Sequence, residues 1–221
     1  MTRRLLIVDD HTIFRQGLKE LFALHPDLKV VAEASGYADA LECVERHRLD
    51  IAILDLSMPG RDGIELMQQI KHAKPHLPIL VLTMHDEEEY AVRALRAGAA
   101  GYITKNCAAD QLVSAIHRLC EGGEYVSPDI AQRLALQLRH GDAGQKPHTR
   151  LSNREYKIFE SLAQGRSVSR IAEDLSLSSK TVSTHKARLL KKMGLQSQAD
   201  VVRYAFKEGL KPLAQDEPEK S

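Results

Sequence analysis

The stretch IAILDLSMPG, residues 51–60, places an apolar run directly before a carboxylate. Its first four residues are all apolar, which is typical of a β-strand that is buried on both faces of a sheet. Pro59 and Gly60 are turn residues that end the segment. The strand is therefore followed at its carboxyl end by one acidic side chain, Asp55. The role of this side chain can be structural or chemical.

Similar apolar runs recur through the first half of the chain, and each is followed by a segment with the period of an α-helix. Five such β-then-α units predict an α/β domain, with a five-stranded parallel sheet and helices on both of its faces. Of the doubly wound strand orders, five strands fit the flavodoxin-like (βα)5 arrangement. The predicted strands are 5–8, 30–34, 51–54, 79–82 and 101–104, and the predicted helices lie near 12–24, 37–48, 62–73, 86–97 and 108–120.

From Leu151 onward the pattern is purely helical, which predicts an all-α second domain. Its four helices are expected near 152–163, 167–175, 179–193 and 197–208. Between the two domains, Ser127 and Pro128 can cap a short helix over 128–139, and a polar connector with Gly and Pro follows it. The expected divisions are an α/β domain over 1–121, a linker with a short helix over 122–149, an all-α domain over 150–211 and a disordered tail over 212–221.

The net charge of +1 is unevenly distributed along the 221 residues. Residues 1–121 carry 14 Lys/Arg and 18 Asp/Glu, whereas residues 150–211 carry 13 and 6. A basic, purely helical domain indicates nucleic acid or another acidic surface as its partner. The three cysteines have no paired or metal-binding spacing, and no apolar stretch suits a signal peptide or a membrane span. These features predict a soluble, cytoplasmic protein with no membrane partner.

Polar side chains follow four of the five predicted strands, and in doubly wound sheets ligands bind at this carboxyl edge. Three carboxylates, a hydroxyl and an ammonium should therefore converge. Crowded carboxylates repel unless a cation intervenes, and Mg²⁺ favours oxygen ligands. A lysine beside such an ion indicates phosphate, so the central carboxylate is a candidate nucleophile that accepts a phosphoryl group. The residues are Asp9 and Asp10 after the first strand, Asp55 after the third, Thr83 after the fourth and Lys105 after the fifth.

For any one of these residues, a turn or a helix cap is a sufficient explanation. Five compatible residues at the matching ends of four strands favour a shared chemical function instead. His11 directly follows the acidic pair and could contact the metal site, but a role at the entry to the first helix is the favoured interpretation.

Four segments, LLIVDDH, ILDLSMPGRDG, VLTMHD and AGAAGYITK, resemble the receiver domain of bacterial two-component response regulators over about residues 3–121. The resemblance implies that Asp55 is the phosphoacceptor and that Lys105 pairs with the phosphoryl oxygens. It further implies that Thr83 donates a hydrogen bond to these oxygens and that Tyr102 is an aromatic switch that reorients on activation. The implied Mg²⁺ ligands are the carboxylates of Asp10 and Asp55, the backbone carbonyl of Ser57, and Asp9, directly or through water.

The basic half of the chain contains the pattern of a helix-turn-helix. Ser152 and Glu155 have the spacing of a capping box, and Gly165 can end the helix that they begin. Helix 179–193 has one apolar face and another face of small and basic residues, which can lie in a DNA groove. The apolar face contains Val182, Leu189 and Met193, and the other contains Lys180, Ser183, Thr184, Ala187 and Lys191.

This half resembles the LuxR-type DNA-binding domain over about residues 150–210, and the whole chain resembles a NarL/FixJ-family response regulator. Two positions differ from the usual family pattern, Ser183 in place of Lys and Arg188 in place of Asn, which leaves the base preference open. The resemblance places helix 179–193 in the major groove. The implied base contacts are Ser183, Thr184 and Ala187, and the implied phosphate contacts are Lys180, Thr181, His185, Lys186, Lys191 and Lys192.

Together these features predict a transcriptional regulator, not an enzyme, whose dimerisation and promoter binding are controlled by phosphorylation of Asp55. The expected partners are double-stranded promoter DNA, a sensor histidine kinase, a second copy of the chain when it is phosphorylated, and RNA polymerase. Val201, Val202 and Ala205 form an apolar stripe that suits dimerisation and core packing equally.

Two alternatives are open. The first is a DNA-binding regulator that acts without phosphorylation, which the complete set of acidic, hydroxyl and lysine residues argues against. The second is a Mg²⁺-dependent phosphatase of the haloacid dehalogenase type, which also forms an aspartyl-phosphate on a doubly wound sheet. That class needs a second Asp two residues after the nucleophile, where this chain has Ser57.

Overall fold

The structure, a computed structural model, describes residues 2–58, 63–84, 88–132, 135, 146–175 and 177–210, without the side chains of residues 88, 89 and 153. It divides into two compact units, Met1–Ala143 and Gly144–Ser221. Residues 128–132 and 135 are helical, and the rest of the helix predicted over 128–139 lies outside the described residues. The tail predicted over 212–221 lies outside them as well.

The first unit is built on one parallel sheet, whose strands are β1 Arg3–Val8, β2 Leu28–Ala34, β3 Ile51–Leu54, β4 Ile79–Thr83, β5 Gly101–Thr104 and β6 Tyr125–Val126. The strand order is β2-β1-β3-β4-β5-β6. The apolar runs of β3 and β4 are buried along their whole length, as are most residues of β1 and β5, whereas β2 and β6 at the edges of the sheet are partly exposed. The doubly wound order agrees with the predicted flavodoxin-like fold.

The prediction of five strands was wrong by one, because β6 pairs with β5 at the edge of the sheet. Tyr125 and Val126 are opposite Gly101 and Tyr102 in the register. Two residues are too short to show strand periodicity, and β6 falls in the segment predicted as a linker, so its pairing follows from the tertiary structure alone.

Five helices of the described residues cover this sheet: α1 Thr12–Ala23, α2 Tyr37–Arg46, α3 Gly63–Ala73, α4 Glu88–Arg96 and α5 Ala109–Cys120. Their sequence positions agree with the predicted ones to within a few residues. α1 and α5 pack against one face of the sheet, where Phe22 and Ile116 are buried in the same cluster as Ile7 and Ile53 of the strands. Gly63 begins α3 beside the backbone of Leu56, where an added Cβ would lie 2.7 Å from the Leu56 Cα.

The described residues of the second unit contain helices and no strands, as predicted, and begin with a 3-10 turn at Pro147–Arg150. Its core contains the apolar stripe of the third helix, Val182, Leu189 and Met193. Its helices are α6 Asn153–Ala163, α7 Val168–Asp174, α8 Ser179–Met193 and α9 Gln198–Lys207.

Polar residues define where these helices begin and end. The capping box at the start of α6 is confirmed, since Ser152 and Glu155 exchange both hydrogen bonds. Ser178 caps α8 by accepting the N–H of Thr181. α8 ends at Gly194, which has φ +68° in the left-handed region that glycine adopts without strain.

No helix among the described residues is both long enough and apolar enough to span a lipid bilayer.

Candidate functional site

The carboxyl edge of the sheet is held by backbone hydrogen bonds that continue just beyond the strands. The N–H of Asp55 donates to the carbonyl of Val8 at 2.9 Å, and the N–H of Lys105 donates to the carbonyl of Thr83 at 2.8 Å. These bonds place the side chains that follow β1, β3, β4 and β5 along one edge.

A buried ammonium joins two of the carboxylates at this edge. Lys105 Nζ lies 2.7 Å from Asp55 Oδ2 and 2.7 Å from Asp9 Oδ2, and all three side chains are at most 5% exposed. Burial lowers the pKa of Lys105, but the hydrogen bonds and charges of Asp55 and Asp9 outweigh it and raise the pKa above its usual value. The ammonium therefore stays protonated and neutralises part of the buried negative charge.

Asp10 and His11 extend this cluster toward solvent. His11 Nδ1 lies 3.0 Å from Asp9 Oδ1 and 3.0 Å from Asp10 Oδ1, and one oxygen or nitrogen from each of Asp9, Asp10, His11 and Asp55 lies within 4.8 Å of the others. Asp10 Oδ1 is buried and accepts no hydrogen bond in the described part of the chain. A buried carboxylate oxygen of this kind fits a divalent cation, because a hard ion would satisfy it.

Ser57 and Thr83 complete the polar surroundings of Asp55. The backbone N–H of Ser57 donates to Asp55 Oδ1 at 2.9 Å, and the hydroxyls of Ser57 and Thr83 lie 3.1 Å apart. Tyr102 is fully buried beneath this edge, on β5 beside Val81 of β4. The structure therefore brings Asp9, Asp10, Asp55, Ser57, Thr83 and Lys105 together, with Tyr102 in the core below them.

Three residues at the start of α1 contact this site, and none of them was a predicted site residue, although contact of His11 with the metal site was the less favoured interpretation of its position. His11 is the N-cap residue of α1, as favoured, but its ring also lies against the acidic pair. Lys105 Nζ lies 4.5 Å from the centroid of the Phe14 ring, and Arg15 donates to the carbonyl of Asp9. Only His11 had a sequence signal, its position directly after two aspartates.

The second candidate surface is the solvent-facing side of α8. The predicted base-facing residues Ser183, Thr184 and Ala187 are all exposed there. Thr184 donates its hydroxyl to the carbonyl of Lys180 at 2.9 Å, so this short side chain is directed back along the helix. Lys180, Arg188 and Lys191 are exposed on the same helix, and Thr181 is partly buried.

Two predicted phosphate-contact lysines already have partners within the second unit. Lys192 Nζ lies 2.6 Å from Glu155 Oε2, which is the buried capping-box carboxylate of α6. Lys186 Nζ donates to Gln198 Oε1 of α9 at 3.3 Å. These two lysines join α8 to neighbouring helices, which distinguishes them from Lys180 and Lys191.

His185 is partly buried, and its Nδ1 atom has no hydrogen-bond partner among the described residues. Burial lowers the pKa of its imidazole, and the charges of Arg154 and Arg188 lower the pKa further, which outweighs the opposing effect of Glu155. The imidazole is therefore neutral at pH 7.

Comparisons with known proteins match both halves of the chain to known families. Residues 5–117 match the response regulator receiver domain, and residues 149–205 match the luxR family of bacterial regulatory proteins. The transcriptional regulatory protein UhpA of Escherichia coli strain K12 is 38% identical over 200 residues, covering 90% of this chain and 96% of its own. The oxygen regulatory protein NreC of Staphylococcus carnosus strain TM300 is 36% identical, covering 94% and 98%.

Among solved structures, RcsB of Salmonella enterica serovar Typhimurium, bound to the promoter rprA in the presence of the phosphomimetic BeF3-, is similar with a TM-score of 0.66. It is 27% identical and covers 92% of this chain and 98% of its own. The fold and the matches define a response regulator of two-component signalling, in which a receiver domain precedes a LuxR-type DNA-binding domain. The chain belongs to the NarL/FixJ family of these regulators, and it is a DNA-binding regulator of transcription.

Proposed function

We propose that phosphorylation of Asp55 controls promoter binding by this regulator. The observation that carries the proposal is the position of Lys105 Nζ, 2.7 Å from both Asp55 and Asp9, at the edge where the hydroxyl of Thr83 also lies. Phosphoryl transfer depends on positioning and charge stabilisation, and these groups supply both around a single carboxylate.

The same edge suits a Mg²⁺ ion held by Asp10, Asp55 and the carbonyl of Ser57, with Asp9 binding directly or through water. Asp10 Oδ1, which is buried and accepts no hydrogen bond from the described residues, supports this assignment. When bound, the ion would neutralise charge that develops on the transferred phosphoryl group.

In the transfer, an Asp55 carboxylate oxygen attacks the phosphorus of a phosphohistidine on a sensor kinase. The new O–P bond forms as the P–N bond breaks, and the kinase histidine keeps the electron pair and takes up one proton from solvent to give a neutral ring. Lys105 then pairs with a phosphoryl oxygen instead of the Asp55 oxygen that it now contacts, and Thr83 donates its hydroxyl to another.

A hydrogen bond from Thr83 to the phosphoryl group would compete with the present contact between the hydroxyls of Thr83 and Ser57, which lie 3.1 Å apart. Movement of Thr83 toward the phosphoryl group would vacate space near Tyr102, which is fully buried and can then change its position. A phosphoryl group adds roughly −1.5 to −2 charges, enough to bias two arrangements of these side chains.

Asp55 in this proposal is a phosphoacceptor and not the nucleophile of a phosphatase. A phosphatase of the alternative type needs a general acid two residues later, and Ser57 instead uses its N–H on Asp55 and its hydroxyl on Thr83. A regulator indifferent to phosphorylation would not need Asp9 and Asp55 to share one buried ammonium. The chain is therefore proposed to be a non-enzymatic, cytoplasmic switch protein.

For DNA we propose that α8 lies in the major groove of double-stranded promoter DNA. Ser183, Thr184 and Ala187 would face the bases, because they are exposed on one side of the helix. The proposed phosphate contacts are Lys180, Thr181, His185, Lys186, Lys191 and Lys192, with exposed Lys180 and Lys191 contributing most because Lys186 and Lys192 have partners in the domain.

A phosphorylated homodimer would place two such helices in successive half-sites, about one helical turn apart. On α9, Val201 and Ala205 are buried in the domain, whereas Val202 is 39% exposed and Phe206 is 90% exposed. The stripe predicted for packing or dimerisation is thus divided between core residues and exposed residues. Its exposed Val202, with Phe206 beside it, supports contact with a second copy of the chain. RNA polymerase is a further proposed partner of the DNA-bound dimer.

Labelling with a small phosphodonor such as acetyl phosphate tests the proposal. With Mg²⁺, the unsubstituted protein should acquire one hydroxylamine-sensitive phosphoryl group, and Asp55→Asn should acquire none. Asp39→Asn, a change to an exposed aspartate on α2, should label normally. Equal labelling of Asp55→Asn would overturn the assignment. In the same samples, the oligomeric mass in solution and the affinity for promoter DNA should both rise with labelling. If neither changes with labelling, control by phosphorylation is contradicted.

A further inference from the structure

We propose that His11 is an additional ligand of the divalent-ion site, through its Nδ1 atom, and that this nitrogen makes the site favour Mn²⁺ or Co²⁺ over Mg²⁺. The inference rests on the metal site of the proposed function and adds a residue to it. The ligand set would then contain one imidazole among oxygens.

The spacing of the donor atoms carries this inference. His11 Nδ1 lies 3.0 Å from Asp9 Oδ1 and 3.0 Å from Asp10 Oδ1, and it lies 4.0 Å from Asp55 Oδ2. Two ligands at right angles around an ion with bonds of about 2.1 Å are themselves about 3.0 Å apart. The imidazole therefore already stands at the distance from both aspartates that ligands of one ion have.

A single hydrogen bond from a neutral imidazole does not account for both contacts. A neutral imidazole carries at most one proton on Nδ1 and so donates at most one hydrogen bond from that atom. The contact with Asp9 Oδ1 has the geometry of such a bond. Asp10 Oδ1, at the same distance from Nδ1, is left buried and without a hydrogen-bond partner in the described part of the chain. One cation between the three groups would satisfy all of them.

The backbone of His11 is fixed beside the acidic pair. His11 is the N-cap residue of α1, its own N–H donates to Asp9 Oδ1 at 2.8 Å, and its carbonyl accepts the N–H of Arg15 at 3.0 Å. Its side chain makes no capping hydrogen bond and is 59% exposed. Neither helix capping nor core packing therefore explains why the ring lies against the acidic pair.

The chemistry of the nitrogen determines which ions bind more tightly when His11 is a ligand. Mg²⁺ prefers oxygen ligands, whereas imidazole binds first-row transition ions well. Coordination uses the lone pair of neutral Nδ1, with the ring proton on Nε2. An added imidazole thus strengthens binding of Mn²⁺ or Co²⁺ much more than binding of Mg²⁺.

Pulsed electron paramagnetic resonance of Mn²⁺ bound to the full-length protein tests the inference directly. Electron spin echo modulation should show a directly coordinated ¹⁴N nucleus, and His11→Ala and His11→Asn should both lose it. The asparagine variant retains a residue suited to the N-cap, so a loss in both variants is not a folding effect. His72→Ala, which changes an exposed histidine at the end of α3, is the matched control and should retain the signal.

Calorimetric titration supplies the second readout, since the chain has no tryptophan to report binding. His11→Ala should weaken Mn²⁺ binding by about tenfold and leave Mg²⁺ binding within about twofold. Tight Mn²⁺ binding without ¹⁴N modulation, unchanged by His11→Ala, would overturn the role of His11 while the carboxylate site stands. Failure of the unsubstituted protein to bind either ion would instead overturn the metal site of the proposed function and this inference with it.

Discussion

The carboxyl edge of the receiver sheet and the outer face of α8 both depend on lysines, but in opposite ways. Lys105 is 5% exposed and lies 2.7 Å from two carboxylates, so its charge is paired within the domain. Lys180 and Lys191 are exposed to solvent. A buried, paired ammonium arranges its own site, whereas an exposed one is available to an external polyanion.

Lys192 lies between these two cases. It is one residue from Lys191 on the same helix, yet it contacts the buried carboxylate of Glu155 at 2.6 Å. Since Glu155 also accepts the N–H of Ser152, this lysine joins α8 to the start of α6. A position on a basic helix is therefore not enough to assign a lysine to DNA contact.

The largest expected effect follows removal of the receiver ammonium. Lys105→Met leaves Asp9 and Asp55 buried without their shared cation, so the receiver should lose roughly 3 kcal/mol of stability in metal-free buffer at pH 7. Amide hydrogen exchange of β1 and β3 peptides in urea measures this loss for the receiver alone.

Lys19→Met is the matched control, because Lys19 pairs with Glu33 at 2.8 Å in an exposed ion pair. Its cost should be under about 1 kcal/mol. Equal losses of stability in the two variants would show that the buried ion pairs of Lys105 stabilise the receiver no more than an exposed ion pair does. Addition of Mg²⁺ should recover part of the loss in Lys105→Met only.

The next effect is a pH dependence of the DNA-binding domain. Burial raises the pKa of Glu155, but the hydrogen bonds of Lys192 and Ser152 outweigh it and lower the pKa below its usual value. A depressed carboxyl pKa stabilises the fold above the unfolded-state pKa. That contribution, about 1 kcal/mol, is lost as the pH falls from about 4.3 through the lower folded-state pKa.

Glu155→Gln should remove this dependence, which hydrogen exchange of α6 peptides between pH 3 and pH 6 can follow once intrinsic exchange rates are corrected. The substitution keeps the side chain's shape and an oxygen for the Ser152 N–H. An identical decline in stability below pH 4 in the variant and the unsubstituted protein would assign the titration to other carboxylates.

The smallest expected effect on stability is that of Lys191→Ala, which distinguishes this lysine from its neighbour Lys192. Lys191→Ala should change stability by less than about 0.5 kcal/mol and reduce the slope of log affinity against log salt by about 0.9. Lys192→Ala should instead destabilise the domain by about 1–2 kcal/mol, with a smaller change in slope. Fluorescence anisotropy with labelled promoter DNA measures the slopes. The reverse pattern would place the phosphate contact on Lys192.

Much of the fold and site was predictable because the relevant signals are local in sequence. Near-continuous apolar runs predicted β1, β3, β4 and β5, and a polar residue after each run located Asp55 and Lys105 at one edge. Serine three residues before an acidic residue predicted the capping box of α6. The apolar stripe of α8, with its 3.6-residue period, predicted which side of that helix is buried.

The order of strands and helices, the residues that end each strand, and the charge of each domain can be read from the amino-acid sequence. The pairing of β6 with the sheet, the contact of His11 with the aspartates, and the pairing of Lys192 and Lys186 inside the domain become visible only in the folded chain. The difference lies in the range of the interactions. Strand and helix periodicity are set by neighbours within a few residues, whereas these contacts join atoms from separate elements whose proximity exists only once the domain has packed.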